Sequence, residues 1–421
     1  VVFRFVQFLL RLSLLPLLLS PGFLIAGPLT LRQAEAQLQH SNYAVLAARR
    51  VLEGATADIT IAGQAPNPTV SYSATDYSPK AGLGGGSLGD KRLDQTIAIQ
   101  QQIERGNRRE LRRSGAEALE QAARADYADT RRQQRLALHQ AWFDWLAAAE
   151  KKRLLSETAE LYKRGMGATE LRLKVGDISR VEASRLRVEA LRAENEARSA
   201  VAEHEKARAQ VALLLGNPDP QTLEAVVEWP VPTTPDAAVL AALEARPDIR
   251  AAGSRVQASE RRRELARSLT TRDVTVGAQV ERYQPVSGVS YGVTLSIPIF
   301  ARYAYEGEKA RAETEYDAAL DERERVRLGA TTEARRAGAD LAAAADRLQR
   351  IEGETLPQAR EVGTASEFAY KKGGLNLTDL LDARRTLRAV ELEALAARAE
   401  HAKARAAWLA ATQWEQSEIR E

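Results

Sequence analysis

The sequence predicts a mainly α-helical protein with a β-barrel portion, built from two structural repeats. Three observations carry that expectation. A β-hairpin pattern occurs twice, about 200 residues apart: Thr69-Val-Ser-Tyr-Ser-Ala with Leu93-Asp-Gln-Thr-Ile-Ala-Ile, then Asp273-Val-Thr-Val-Gly-Ala with Ser290-Tyr-Gly-Val-Thr-Leu-Ser-Ile. Each hairpin leads into a helical pattern longer than a globular domain needs. Aromatic residues make up only 5% of the chain and charged residues 28%, a balance that suits long helices with narrow apolar seams better than a thick core. Two strands per repeat cannot close a sheet, so the missing strands must come from other copies of the chain, which is the logic of an oligomeric pore.

Residues 1–26 hold Arg4 and Arg11 in an otherwise apolar stretch through Leu14-Leu-Pro-Leu-Leu-Leu, the pattern of a secretory signal cleaved near Ala26. Pro16 and Pro21 argue against a retained anchor, and no other apolar run approaches the roughly 18 to 20 residues of a spanning helix. Residues 27–220 form the first repeat. It opens with helix over 29–63 and stops at Pro66-Asn-Pro68. In the hairpin of about 68–102, Val70, Tyr72 and Ala74 alternate with Thr69, Ser71, Ser73 and Thr75, and Gly82 to Gly89 make the tip. The return strand sets Leu93, Ile97 and Ile99 against Asp94, Thr96 and Ala98.

From about Glu104 to Leu171 the pattern stays helical without a proline, about 100 Å at 1.5 Å per residue, with Leu138, Trp142, Trp145, Leu146 and Ala149 along one face. The chain reverses at Gly176 and a second helix runs to Leu213-Leu-Leu-Gly-Asn-Pro218. Residues 221–236, including Glu228-Trp-Pro-Val-Pro, read as an extended linker that Trp229 packs onto the helices.

Residues 237–421 repeat the plan: a helix after Arg246-Pro-Asp-Ile, a hairpin at about 272–300, a helical run from about Tyr303, and a reversal at Gly373. In the hairpin, Val274, Val276, Ala278 and Val280, then Val289, Tyr291, Val293, Leu295 and Ile297, alternate with small or polar residues. Lipid on one side and water on the other demand such a dyad, although one edge of a soluble sandwich shows the same alternation. Tyr72, Tyr77, Tyr283, Tyr291, Phe300, Tyr303 and Tyr305 lie where an interfacial aromatic girdle would sit. Pro357 should kink or break the second run. The repeat offset is 204 at Asn42 and Arg246 but 197 at Gly176 and Gly373, so one hairpin tip must be longer, and the glycine-rich Gly82–Gly89 tip is its natural place.

A net charge of +3 with both signs interspersed gives nucleic-acid binding little support. The absence of cysteine excludes disulfides, thiolate ligands, cysteine nucleophiles and a cysteine-borne lipid anchor. His40, His139, His204 and His401 are scattered as surface or packing residues, so neither a metal site nor a cofactor is expected. No phosphate loop, zinc motif or catalytic triad context appears, and the chain reads as no enzyme.

The ordered set Leu213-Leu-Leu-Gly-Asn-Pro, Arg246-Pro-Asp-Ile-Arg-Ala-Ala, Leu295-Ser-Ile-Pro-Ile-Phe, Tyr370-Lys-Lys-Gly and Thr378-Asp-Leu-Leu-Asp-Ala resembles the TolC-like outer membrane efflux protein family over essentially the whole mature chain. Within it the chain resembles the heavy-metal cation efflux branch. The resemblance implies a homotrimer in which four strands per chain make a twelve-stranded barrel in outer membrane lipid, continued by a helical tunnel in the periplasm. It also implies a periplasmic adaptor (membrane fusion protein) and an inner-membrane RND pump as partners.

Asp379 and Asp382 share one helix face near the tip. Spacing alone suits carboxylates favoured by a helix N-terminus, whereas the resemblance implies a cation-attracting ring at the periplasmic gate. The resemblance further pairs Tyr370 with Glu182 as an entrance latch, with Tyr370 as a plain packing residue the alternative. Leu375 stands where some members carry a gate arginine, and Arg180 or Arg384 could take that place. Gly176 and Gly373, with small helix-surface residues, would accept the adaptor's hairpins. The implied function is passive export of the pump's substrate, divalent cations such as Co, Ni, Zn or Cd. The rivals are a drug-efflux or type I secretion channel and a soluble periplasmic coiled-coil adaptor.

Overall fold

A computed structural model of the protein describes residues 28–75, 93–176, 178–235, 243–283 and 288–412. The segment read as a secretory signal, the Gly82–Gly89 tip and Tyr77 lie outside these residues. The order of elements runs twice through the same plan. The first pass is α1 (Leu31–Ser41), α2 (Tyr43–Ala62), β1 (Thr69–Thr75), β2 (Asp94–Ile103), α3 (Arg108–Lys174) and α4 (Arg180–Leu214). The second is α5 (Pro247–Ser268), β3 (Val274–Arg282), β4 (Val289–Ser296), α6 (Glu306–Arg350), α7 (Leu356–Lys371) and α8 (Leu377–Thr412). The architecture is mostly helical with one four-stranded antiparallel sheet, ordered β1-β2-β3-β4. Among the described residues no helix is long and apolar enough to cross a membrane.

Register aligns the alternation of all four strands. Val70 pairs with Ile99 and Tyr72 with Ile97; Ile97 faces Val280 and Ile99 faces Ala278; Val280 faces Tyr291, Ala278 faces Val293 and Val276 faces Leu295. Side chains one residue apart point to opposite faces, so this register gathers Val, Ile, Leu and Tyr on one side. Val70, Tyr72, Ile97, Tyr291, Val293 and Leu295 are all exposed there. The other side carries Ser71, Ser73, Thr96, Gln100, Gln279, Ser290 and Thr294 with two glycines. A Cβ on Gly292 would come within 2.9 Å of Gln279 Cγ, so that glycine gives the glutamine room to lie across the polar face.

The helices form because Ala, Leu, Glu and Arg dominate them and proline is absent from α3 for all 67 residues, about 100 Å of rise. α2, α4 and α5 pack along α3, and buried alanines at 118, 122, 125 and 128 let the backbones approach. The largest core gathers Leu138, Trp142, Phe143, Trp145 and Leu146 with Leu38, Val45, Val211 and Leu215. Trp142 and Trp145 meet edge to face at 5.4 Å. Trp229 fixes the linker by stacking on Phe143 at 6.0 Å and donating to Glu150 at 2.7 Å.

Asn42 and Arg246, the paired positions of the two passes, are both buried N-cap residues, and each donates to a carbonyl at the end of a returning helix: Leu214 O at 2.9 Å and Ala411 O at 3.4 Å. The junction between sheet and helices is also stapled. Arg108, at the start of α3, pairs with Asp273 at 2.8 Å and donates to the carbonyls of the α5–β3 turn.

Pro357 does not break the second run. A five-residue π-turn, Ile351–Thr355, absorbs it, and α6 passes into α7 without a gap. Proline lacks the N–H that would bond the carbonyl four residues back and clashes with that carbonyl; wider winding just upstream removes both conflicts. Ile351 and Leu356 then pack with Leu348 against Ala394 and Ala397 of α8.

Candidate functional site: the helical tip

The end of the molecule remote from the sheet is made by two helical hairpins, α3–α4 and α7–α8. Both turn on a glycine with φ +78°, Gly176 and Gly373, a left-handed conformation that costs any residue with a Cβ. In the second turn the Gly373 N–H donates to Tyr370 O at 3.1 Å and the Gly374 N–H to Ala369 O at 2.9 Å, satisfying the last carbonyls of α7. Tyr162, Leu186 and Ala193 of the first hairpin and Leu377 and Leu381 of the second share one apolar cluster, with Met166 and Tyr370 at its rim.

The predicted site residues all lie here. Asp379 and Asp382 are exposed on α8, away from buried Leu377, Leu380 and Leu381. Asn376 accepts from the Asp379 N–H at 2.9 Å, placing Asp379 in the first turn, and Asp382 accepts from Arg385 at 2.9 Å. Tyr370 and Glu182 are not joined to each other. The Tyr370 hydroxyl accepts from Arg172 at 2.9 Å. Glu182 closes a capping box on α4, accepting from Ser179 N–H at 2.9 Å while its own N–H donates to Ser179 Oγ at 3.2 Å. That backbone hydrogen bond holds the Glu182 carboxyl below the usual range. Leu375 is half-buried in the turn, and Arg384 binds Glu367 within its own hairpin at 3.1 Å.

The Arg172–Tyr370 bond crosses between the two hairpins, and further side-chain bonds across them come from residues to which the sequence reading gave no role. Arg385 of α8 donates to both oxygens of Glu189 on α4, at 2.6 and 3.2 Å, and Glu189 is only 4% exposed. The hydrogen bond from Arg385, opposed by burial, holds the Glu189 carboxyl below its ordinary range. Arg185 donates to Thr378 Oγ1 at 2.9 Å, and Arg388 pairs with Glu196 at 2.9 Å. A cleft of about 670 Å³ opens between α4 and α8 beside these contacts, lined by Arg180, Arg185, Arg192 and Arg385 against Glu189 and Asp382. The sequence did contain one signal for them. The separations of the bonded pairs, 198, 193 and 196 residues for Arg172–Tyr370, Arg185–Thr378 and Glu189–Arg385, cluster around the offset at which the two tips align.

Three of the four histidines take structural roles, and His40 is exposed. His139 pairs with Glu35, and His204 accepts from Trp145 Nε1 at 3.2 Å. Buried His401 accepts from the Thr233 N–H of the linker at 3.4 Å, and burial pushes its pKa down. Among the described residues no group of three His, Cys, Asp or Glu could hold a metal ion.

Comparison with known proteins agrees with this architecture. Residues 32–217 and 239–412 match the sequence profile described as "Outer membrane efflux protein". The cobalt-zinc-cadmium resistance protein CzcC of Cupriavidus metallidurans is 28% identical over 366 residues, 86% of this chain and 84% of its own length. Among solved structures, the outer-membrane channel OprN superposes with a TM-score of 0.76 at 21% identity, covering 91% of this chain and 90% of OprN. CusC gives 0.75 at 15% identity, with 91% of each chain covered, and the Campylobacter jejuni CmeC outer membrane channel 0.75 at 16%, with 92% and 86% covered.

Proposed function

The chain belongs to the outer membrane efflux protein family and has the fold of TolC-like channels, and from that premise we propose that it is the outer membrane component of a tripartite RND-type efflux system. The observation that carries the reading is the pairing of a sheet with one apolar and one polar face to a helical body about 100 Å long. Three chains supply twelve strands, the apolar faces meet lipid, and the polar faces line water. The helices continue the conduit through the periplasm to an adaptor and an inner-membrane pump, which supplies the energy. The two tip turns at Gly176 and Gly373 receive the adaptor's hairpins, and substrate then moves passively.

The cargo is divalent metal cations, a reading supported by the likeness to a cobalt-zinc-cadmium resistance protein and by the acidic face of α8. In a trimer Asp379 and Asp382 place six carboxylates at one constriction, which draws cations and repels anions. Asp382 already holds Arg385, so Asp379 carries the larger share. Tyr370 and Glu182 border the same entrance, where partner exchange between their present bonds and a shared one accompanies opening.

The test is block by multivalent cations in planar bilayers. Asp379→Ala weakens block more than Asp382→Ala does, and the double variant weakens it most. Unchanged block in the double variant rejects the ring. Loss of cobalt, zinc and cadmium tolerance on deletion, with drug tolerance intact, separates metal export from drug efflux or secretion.

A further inference from the structure

We propose that Arg105 and Arg272 form a binding site for the phosphate of an anionic phospholipid of the periplasmic leaflet, on the apolar side of the junction between sheet and helices. The inference rests on the channel reading above. The last pair of the β2–β3 ladder is Ile103 with Val274, both on the apolar face. Continued by two residues, that register sets Arg105 opposite Arg272, and the alternation returns both to the same face. The β3–β4 register, continued likewise, brings Ile299 alongside Arg272. Two arginines and an isoleucine that is 80% exposed thus make one row at the margin of the apolar face.

Charge at this junction is sorted by face. The acids, Glu104 and Asp273, stand one residue out of step with the row, on the polar side, where Arg112 holds Glu104 at 2.6 Å and Arg108 holds Asp273 at 2.8 Å. From Arg105, Asp273 accepts only the backbone N–H, at 3.1 Å. Arg105 and Arg272 are both exposed, and among the described residues neither pairs with a carboxylate. The Arg272 guanidinium lies over the Phe300 ring at 5.3 Å, a contact that positions it and leaves its N–H donors free. Like charges facing each other across a ladder destabilise it, so the row calls for an anion. Other copies of the chain would join at β1 or β4, whereas the two arginines extend the central strands β2 and β3.

Depth identifies the anion. At its far end the apolar face of β3 closes on Arg282, which faces Val289 and Gln95. The ten residues from Arg272 to Arg282 rise about 33 Å along the strand, at roughly 3.3 Å each. At the tilt of about 40° that barrel strands take, this is about 25 Å of height, the height of the apolar band of such barrels. Arg105 and Arg272 therefore stand at headgroup level, with Ile299 exposed to meet the acyl chains. Tyr303 and Tyr305, 5.0 Å apart, lie a few residues further on. The helices leave from this end, which makes the leaflet the periplasmic one. A phosphodiester with net negative charge offers oxygens to both guanidiniums and offsets their charge, whereas a zwitterionic headgroup brings a cation of its own. Free phosphate could make the same hydrogen bonds but has no chains to lie on Ile299.

The experiment reads, by native mass spectrometry, the lipid retained by the purified full-length protein after titration with phosphatidylglycerol or with phosphatidylcholine of matched chains. Wild type retains phosphatidylglycerol several-fold more tightly. Arg105→Gln/Arg272→Gln loses most of that preference, each single variant loses part, and Arg105→Lys/Arg272→Lys keeps most of it. Arg153→Ala, which removes an exposed pair within α3, leaves it unchanged. Inorganic phosphate does not displace the lipid; displacement at equal concentration makes the row a free-anion site and overturns the lipid assignment. Equal retention of the two lipids by wild type, or an undiminished preference in the double glutamine variant, overturns the proposal. If that variant fails to assemble, an undiminished preference in both single variants overturns it as well. Wild type that inserts and conducts ions without any lipid preference sinks this proposal alone, whereas wild type that neither enters liposomes nor conducts brings down the channel reading itself.

Discussion

Arg385 and Glu189 show how little of a polar site is visible in local sequence. Asp379 and Asp382 are legible because they sit three apart on one helix, and Gly176 and Gly373 because they interrupt long helical patterns in equivalent places. A bond between α4 and α8 is one choice among 60 basic and 57 acidic side chains, and the repeat offset of 197 narrows the partner only to within a few residues. Two predictions belong here. Gly373→Ala forces a Cβ into a left-handed turn and costs about 1–2 kcal/mol, read as a lower melting temperature of the purified protein. The second concerns pH. Glu189 titrates below its ordinary value of 4.5 in the folded protein, so the native state binds fewer protons than the unfolded one near that pH. The stabilisation is therefore complete above about pH 4.5 and is lost as pH falls through the folded value. Thermal unfolding of wild type against Glu189→Gln between pH 7 and pH 3 should show the gap narrowing only in that acid range.

At the level of elements, the periodic patterns located each long helix, and the linker tryptophan packs as its surroundings suggested. The π-turn at Ile351–Thr355 was not legible. A proline in a helical pattern signals a conflict with the turn before it, but whether the helix breaks or widens depends on what packs alongside, and α8 supplies Ala394 and Ala397 to hold the widened turn. Nothing lies within 4 Å of a Cβ built on Gly353 in that turn. Gly353→Ala should accordingly stabilise the protein by about 0.5–1 kcal/mol, visible as a raised denaturation midpoint. The linker offers a second measurement. His401 has its pKa lowered by burial and accepts the Thr233 N–H, with Arg405 and Glu352 as the charged groups acting on it. Protonation removes that acceptor, so the bond is intact above pH 6.5 and fails as pH falls below it through the lowered value. Hydrogen exchange at Thr233, corrected for its intrinsic rate, should lose protection on acidification, and His401→Phe should lose it at every pH.

The whole molecule was the most legible scale, since alternation in four short segments and two very long helical patterns leave few architectures open. The register goes further than the pattern by aligning Val280 between Ile97 and Tyr291 in one continuous apolar face. If that face meets lipid, Val293→Lys costs about 2–4 kcal/mol near the bilayer mid-plane, while Thr294→Lys on the polar face leaves insertion unaffected and alters conductance. Yield of membrane-inserted oligomer in liposomes distinguishes the two. The sheet order has a bearing on biogenesis as well. With β1 and β4 outermost and unpaired with each other among the described residues, a newly made subunit carries two sticky margins that any stray strand can occupy. If the three-chain conduit proposed above forms, solitary subunits are a hazard to the cell that makes them, and kinship recognition among sister chains has to outrun promiscuous pairing before a lumen exists at all.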